Sequence, residues 1–449
     1  MAISMEYIVE PSKKIPVCAK CDLFVAGGSC TGVFAAIRAA RLGAKVVIAE
    51  RGNCFGGTAT AGLVNVWHSL KDTDYSNQVI AGLTDEVTQR LQKSGAAVLS
   101  DNPSTAIVFD PNRLKYELDK LIAEERITVY FHTLCVGAIT DGKTITSAII
   151  ENKDGRSAVN AGFYIDATGD GDLMRYLDMP SYQENPLQPP TPCFFMKGST
   201  ENIDIAKIIM EHGSEYGLPN DFGWSGEVPG VSDIYLHADF HIFGADCSTA
   251  EGLTYVETEG RKKAYSITEL INKYAGTNLS VAALCSMAGI RETRHFETKQ
   301  KAIGHDMLIG KRYPDAILNG TYRSDFHDTD GNVTFRYLDG TTVYINGVSK
   351  EYEYGNWRKE ENIQGTPAKY YQIPFQVLVQ ERYSNLIAAG RMIHADALAF
   401  GALRVMVNLN QIGEAAGVAA FLSLHKNTPI QELSGLEVRN TLIKGGSAL

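Results

Sequence analysis

The chain has 449 residues, 44% of them hydrophobic and 21% charged, with 42 Lys and Arg against 52 Asp and Glu for a net charge of −10. That balance is ordinary for a globular protein and excludes disordered, collagen-like and fibrous classes. An acidic excess without a basic block makes nucleic acid and anionic membranes poor partners. At roughly 100–200 residues per domain, the length predicts two or three domains and room for a buried ligand site. Glycine is the outlier, at 42 of 449 residues against a usual share of roughly 7%.

Residues 21–51, CDLFVAGGSCTGVFAAIRAARLGAKVVIAER, form the first strong unit. Residues 23–26 are a continuous apolar run, as in a parallel strand covered on both faces. A glycine turn follows, then a small-residue helix over 33–42 stopped by Gly43, and a second buried strand over 45–49 ending at Glu50. In the turn, Gly27 and Gly32 occupy the first and third positions of a dinucleotide fingerprint, with Ser29 where the middle glycine usually stands. The following helix offers free N–H groups and its positive dipole end to phosphate. Glu50 stands where a carboxylate accepts from ribose hydroxyls. Strand, turn, helix, strand and acid in this order predict dinucleotide binding.

Residues 110–125, DPNRLKYELDKLIAEE, predict a helix capped by Asp110 with Pro111 in its first turn. The stretch 128–151 alternates around Asp141-Gly142, a hairpin signal, and 163–167 is another short buried strand. Prolines over 183–192 mark a domain boundary. Beyond it come helices at about 259–275 and 279–300, and strands around the turn signals Asp330-Gly331, Asp339-Gly340 and Asn346-Gly347. The chain then returns to a doubly wound pattern, with a strand over 386–389, a turn at Gly390-Arg391 and a helix over 404–424 opened by Arg404.

Residues 53–63, NCFGGTATAGL, add a second glycine-rich loop directly after the acid. Here the sequence resembles the bacterial FAD-dependent oxidoreductases of the glutathione-reductase-like superfamily, some of whose members are labelled xanthan-lyase-like. The resemblance continues through FDPNRLKYELDKLIAE (109–124), YIDATGDGDL (164–173), AGIRETRHFETKQ (288–300) and ALRVMVNLNQIGEAAGVAAFL (402–422). It implies an α/β fold with a discontinuous FAD-binding Rossmann domain and an inserted mixed α+β substrate domain. The expected boundaries are an arm over 1–17, the FAD domain over 18–184 and 373–449, and the substrate domain over 185–372.

The resemblance also implies roles. Gly27, Gly28, Ser29, Gly32, Gly56, Gly57, Thr58 and Ala59 would wrap the pyrophosphate of a non-covalent FAD. Glu50 and Arg51 would meet the adenosine ribose, and Cys135 the adenine. Thr168, Gly169 and Asp170 match a later FAD-contacting turn, Asp396 the acid on the ribityl chain, and Asn410 and Gly413 the helix aimed at the flavin. Gly57, not histidine, precedes Thr58, so covalent attachment has no support.

Arg291, Arg294 and His295 fall together on one face of the expected 279–300 helix, where guanidinium groups can clamp an oxyanion and imidazole can carry a proton. Arg391 and His394 follow the late strand in a turn near the flavin. These five are the candidate catalytic residues; the plain alternative is structural ion pairing. His237 and His241, with surroundings that alternate as a strand, read as structural rather than metal-binding. Cys18-x-x-Cys21 precedes the first strand, on the wrong side for a flavin-facing disulfide. The eight scattered cysteines and the polar N-terminus predict a reducing cytoplasm, and the glycine-broken stretch 23–37 is too short for a membrane span.

No second glycine fingerprint appears in the middle third. The electron partner is therefore expected to be external, and the FAD motifs with the resemblance imply hydride transfer between a polar small organic substrate and flavin N5. The rivals are a non-redox enzyme of the same fold (hydratase-like or thiazole-synthase-like), a flavin-dependent nucleic-acid modifier, and a scaffold with a degenerate nucleotide fold.

Overall fold

The computed structural model describes residues 7–100, 106–218, 221 and 223–449. Its centre is a seven-stranded mixed sheet. Val17–Ala26 pairs in parallel with Val46–Ala49 on one side and Gly155–Asp166 on the other, with Leu23 opposite both Val46 and Phe163. Thr128–Tyr130 extends the sheet beyond Val46–Ala49, and Leu386–Ala388 adds a parallel strand along the end of Gly155–Asp166. Leu134–Asp141 and Thr144–Asn152 join the start of Gly155–Asp166 as an antiparallel meander. The carboxyl ends of the parallel strands therefore converge where the first and second halves of the chain meet, the usual ligand edge of such sheets.

Helix Cys30–Arg41 lies on this sheet and crosses helix Met406–Lys426 at very short range. A Cβ on Gly413 would sit 2.1 Å from the Thr31 carbonyl oxygen, so only glycine permits the crossing. Beside it Arg38 and Glu414 form a buried ion pair, and Glu414 also accepts from the Leu83 N–H at 3.1 Å. The main apolar core fills both sides of this contact and draws in Ile317, Leu318 and Ile373 from the antiparallel pair Ala316–Gly320 and Tyr371–Pro374.

Two four-stranded antiparallel sheets lie outside this core, beside a three-stranded sheet of Val66–Trp67, Ile107–Phe109 and Ala97–Leu99 and the short pair Ser181–Tyr182 and His295–Phe296. One runs in the order Trp224–Glu227, Ile234–Ala238, Phe194–Lys197, Ser280–Leu284, and shares a core with helix Ala250–Ala275. The other is the meander Ser324–His327, Val333–Arg336, Thr341–Ile345, Tyr352–Asn356, turning at the three Asx-Gly signals. All eight cysteines are thiols. Among the described residues no single helix is long and apolar enough to cross a membrane. The pair Ala397–Leu403 and Met406–Lys426 passes that test only jointly and is bent by 90°.

The structure corrects four expectations. The 279–300 region is not a helix: Ser280–Leu284 is a strand paired with Phe194–Lys197, followed by irregular chain and the short strand His295–Phe296. Its small apolar residues suit either conformation, and the neighbouring strand decides. The helix expected over 404–424 is present but starts two residues later, at Met406: Arg404 does not open it but closes Ala397–Leu403, and Val405 is extended between the two. Cys18 and Cys21 lie within the first strand, at the end away from the Gly27 turn. His237 and His241 do not share a strand face, because the strand ends at Ala238 and Asp239 turns the chain at φ +66°.

Candidate active site

One cavity of about 460 Å³ opens along the carboxyl edge of the central sheet. Its first end is built by glycine loops. The turn after Val17–Ala26 passes so close to the chain after Gly155–Asp166 that a Cβ on Gly27 would lie 2.4 Å from the Ala167 carbonyl oxygen. Gly27 also has φ +102°, which side chains disfavour. Gly27, Ser29, Gly56, Gly57, Thr58, Thr168 and Gly169 line the cavity there. Gly28 and Gly32 stand just behind: the Gly28 N–H donates to Glu50 Oε2 at 2.6 Å, and Gly32 packs under the Gly27 carbonyl. Glu50 Oε1 accepts from the Gly52 N–H at 2.7 Å. The acid thus braces both arms of the loop while facing the cavity beside Arg51 and Cys135.

Asp170 lies under this wall and ties three neighbours. Arg391 Nη2 donates to it at 2.6 Å, Thr293 Oγ1 donates at 2.9 Å, and Arg51 Nη1 is 3.8 Å away. Burial pushes the Asp170 carboxyl up, but Arg391 and Arg51 outweigh it and hold the group below its usual range. Ala59 is buried behind the second glycine loop.

The break between helices Ala397–Leu403 and Met406–Lys426 brings Arg404, Val405, Met406, Leu409 and Asn410 to the cavity. Helix Met406–Lys426 starts there without a side-chain cap, leaving its first N–H groups for a ligand. Asn410 is buried, and neither its Oδ1 nor its Nδ2 has a partner. Such groups are costly to leave unmatched unless a bound molecule meets them. An uncapped helix start, an orphaned amide and a glycine cradle on one edge fit FAD.

The other end is polar and aromatic. Arg291 donates to Pro189 O at 2.8 Å, to Thr191 Oγ1 and to Asp239, all from the strand-edge loops. Asp239 also lies 3.3 Å from His241 Nε2, and His241 Nδ1 is 3.0 Å from Asp221. Burial works to raise Asp239, but the His241 contact and Arg291 hold its carboxyl below the usual range. Opposite, Tyr322 Oη donates to Asp325 Oδ2 at 2.9 Å, His327 Nε2 sits 3.0 Å from Asp325 Oδ1, and Arg404 Nη2 is 3.4 Å from Oδ2. Burial pushes the His327 imidazole down, whereas His241 is raised by Asp221 against the effect of burial. The two imidazole rings approach to 4.5 Å, joining both groups.

The structure brings Arg291 and Arg391 to the cavity and leaves the other three candidate catalytic residues outside it. Arg294 donates to the Ser248 carbonyl at 2.9 Å. His295 is fully buried between the Ile393 carbonyl and Glu292, both at 2.8 Å, and stacks on Tyr182. His394 Nδ1 accepts from the Thr298 N–H at 3.1 Å. Asp396 caps helix Ala397–Leu403 through the Ala399 N–H and also takes the Gly304 N–H. Gly413 serves the helix crossing rather than the cavity. Spacing missed Asp239, which arrives through a left-handed turn, and Tyr322 and Asp325, which stand just before and within strand Ser324–His327. The aromatic, turn-rich composition of their region was the one available signal.

The profile of the FAD dependent oxidoreductase family matches residues 22–442. No curated protein matches the sequence. Solved structures with similarity include a geranylgeranyl bacteriochlorophyll reductase-like protein from Thermoplasma acidophilum, at 11% identity and TM-score 0.47, covering 95% of this chain and 83% of that one. An anhydrotetracycline hydroxylase from Streptomyces rimosus is similar at 12% identity and TM-score 0.41, covering 95% and 69%. A p-nitrophenol 4-monooxygenase from Pseudomonas putida is similar at 10% identity and TM-score 0.43, covering 94% and 83%. With its family profile spanning nearly the whole chain, this protein belongs to the FAD dependent oxidoreductase family and is an enzyme that uses FAD.

Proposed function

We propose that the protein transfers a hydride between a polar small organic substrate and N5 of FAD, in a glutathione-reductase-like architecture whose substrate wall comes from residues 185–372. The observation that carries this reading is a single cavity with the glycine cradle at one end and the Arg291–Asp239 and Tyr322–Asp325 groups at the other. FAD, when bound, supplies an isoalloxazine ring able to take or give a hydride at N5. The chain's own residues do the rest. Arg291 and Arg404 orient substrate oxygens, and the apolar side chains of Val64, Val66 and Met287 exclude water between them. The Tyr322 phenol gives or takes the accompanying proton at Oη, with Asp325 Oδ2 as its partner and His327 behind. Electrons pass to or from a diffusible partner, in keeping with the lack of a second glycine fingerprint.

The test is anaerobic mixing of the FAD-loaded protein with candidate substrates while following flavin bleaching. Tyr322→Phe should lower the reduction rate at least about tenfold without releasing FAD, the usual scale for a proton-transfer group. A protein that takes up no FAD, or a Tyr322→Phe variant with undiminished rate, would overturn the reading.

A further inference from the structure

The substrate end is highly charged yet internally matched. Asp239 has Arg291 and His241; Asp325 has Arg404 and His327. Arg323, between them, lays its guanidinium 4.2 Å from the Phe335 ring centroid and 4.8 Å from that of Tyr322. A carboxylate entering to meet Arg291 would have to displace Asp239, and an ammonium entering to meet Asp325 would have to displace Arg404. Asp325 and Arg404 are buried, at 12% and 9% side-chain exposure, so breaking that pair strands a charge, whereas Asp239 is 42% exposed at the cavity and keeps His241 beside it. A charged ligand therefore competes at each pair with a counter-charge already in place.

A neutral ligand rich in hydroxyls has no such conflict. Paired carboxylates keep spare acceptor lone pairs and paired guanidinium groups keep spare donors. Arg404 makes this concrete: its side chain is 9% exposed, it lines the cavity, and its Nε has no partner. Trp224 adds flat apolar surface against which the C–H face of a saturated ring packs, while the Tyr322 ring is already met by His68, at 4.1 Å between centroids, and by the Arg323 guanidinium. A second chamber of about 290 Å³ shares His68, Tyr322 and Arg323 with the main cavity and continues the mix with Tyr75, Tyr337 and Asp339. Tyr75 is held there at φ +57°, an uncommon conformation for an aromatic residue.

We infer that the enzyme's substrate is a neutral polyhydroxylated ring compound, a sugar or cyclitol, seated against the Asp239–Arg291 and Asp325–Arg404 pairs and able to extend past Tyr322 into the second chamber. This rests on the reading of the cavity as a redox site, but the two are separable by experiment. FAD-loaded protein is titrated by calorimetry with D-glucose, D-galactose, myo-inositol, maltose and cellobiose, and with the charged rings D-glucuronate and D-glucosamine. Flavin bleaching is followed anaerobically in parallel.

At least one neutral ring should bind, and the charged rings should bind at least about tenfold more weakly than it does. A neutral disaccharide should bind more tightly than glucose, and Tyr337→Ala should remove that advantage while flavin absorbance stays unchanged. Charged rings that bind as well as neutral ones, or no neutral ring bound by protein that loads FAD, would overturn the inference. Bleaching by a charged compound would leave the hydride-transfer reading standing and remove this one. Neutral rings that bind without ever exchanging electrons with FAD would do the reverse.

Discussion

Glu50 illustrates how one side chain can hold a loop and face a ligand together. Its two oxygens take the N–H groups of Gly28 and Gly52, so the carboxylate is in place before any ribose arrives. Each hydrogen bond to a charged group contributes about 1.5–3 kcal/mol. Glu50→Ala should therefore weaken FAD binding by more than about tenfold and lower the melting temperature, both measurable by titration and thermal scan. The Arg38–Glu414 pair has no ligand to face. Glu414→Gln leaves Arg38 buried without its counter-charge and should cost about 3–5 kcal/mol in chemical denaturation. Residue identity also misled at this scale: His295, with arginines nearby, has catalytic spacing, yet it is a core imidazole between Glu292 and a carbonyl. Nothing in one-dimensional spacing separates it from Asp239, which reaches the cavity only because the backbone turns left-handed there.

Among the elements, helices Ala397–Leu403 and Met406–Lys426 matter most. Their break at Arg404–Val405 lets one helix end and another begin at the cavity, so that a cation and a free set of N–H groups arrive together. The apolar pattern located the helix that runs on from Met406, but it did not show that Arg404 and Val405 stand outside it, where the chain bends by 90°. The crossing with Cys30–Arg41 is the second constraint. Gly413→Ala would press a methyl onto the Thr31 carbonyl, one residue from the glycine turn. It should cost about 1–3 kcal/mol as overpacking and reduce FAD content, which the ratio of flavin to protein absorbance reads directly. The βαβ unit, helix Pro111–Glu124 and the three-turn meander were legible because local signals and tertiary contacts agree in them. Strand Ser280–Leu284 was not, since its alanines carry no strong preference and its partner lies over 80 residues away.

At the scale of the molecule, the pH dependence of stability is set by buried histidines and carboxylates in several places. His241 is raised above its ordinary 6.5: burial is the largest single effect and opposes the charge, but the carboxylates of Asp221 and Asp239 together outweigh it. The native state thus holds this proton more tightly than the unfolded chain does. Its stabilisation is complete below pH 6.5 and is lost as pH rises through the higher folded value. His327 and His394 are lowered and act below 6.5, and Asp166, pushed up to about 6 by burial, titrates there too. The melting temperature should therefore fall as pH rises above 6.5, and His241→Gln should flatten that fall; an equal slope in both proteins would refute it.

The glycine excess, the order of strand, turn, helix and acid, and the cofactor class are local properties. They are written in the chain because a phosphate-binding turn needs its residues consecutive in sequence. The substrate end is different. Asp239, Arg291, the Tyr322–Asp325 stretch and Arg404 come from four separate segments, and the pairing of those segments depends on the sheets that meet at one edge. Only tertiary structure brings such groups within hydrogen-bond reach, because no local spacing rule relates residues that far apart in the chain.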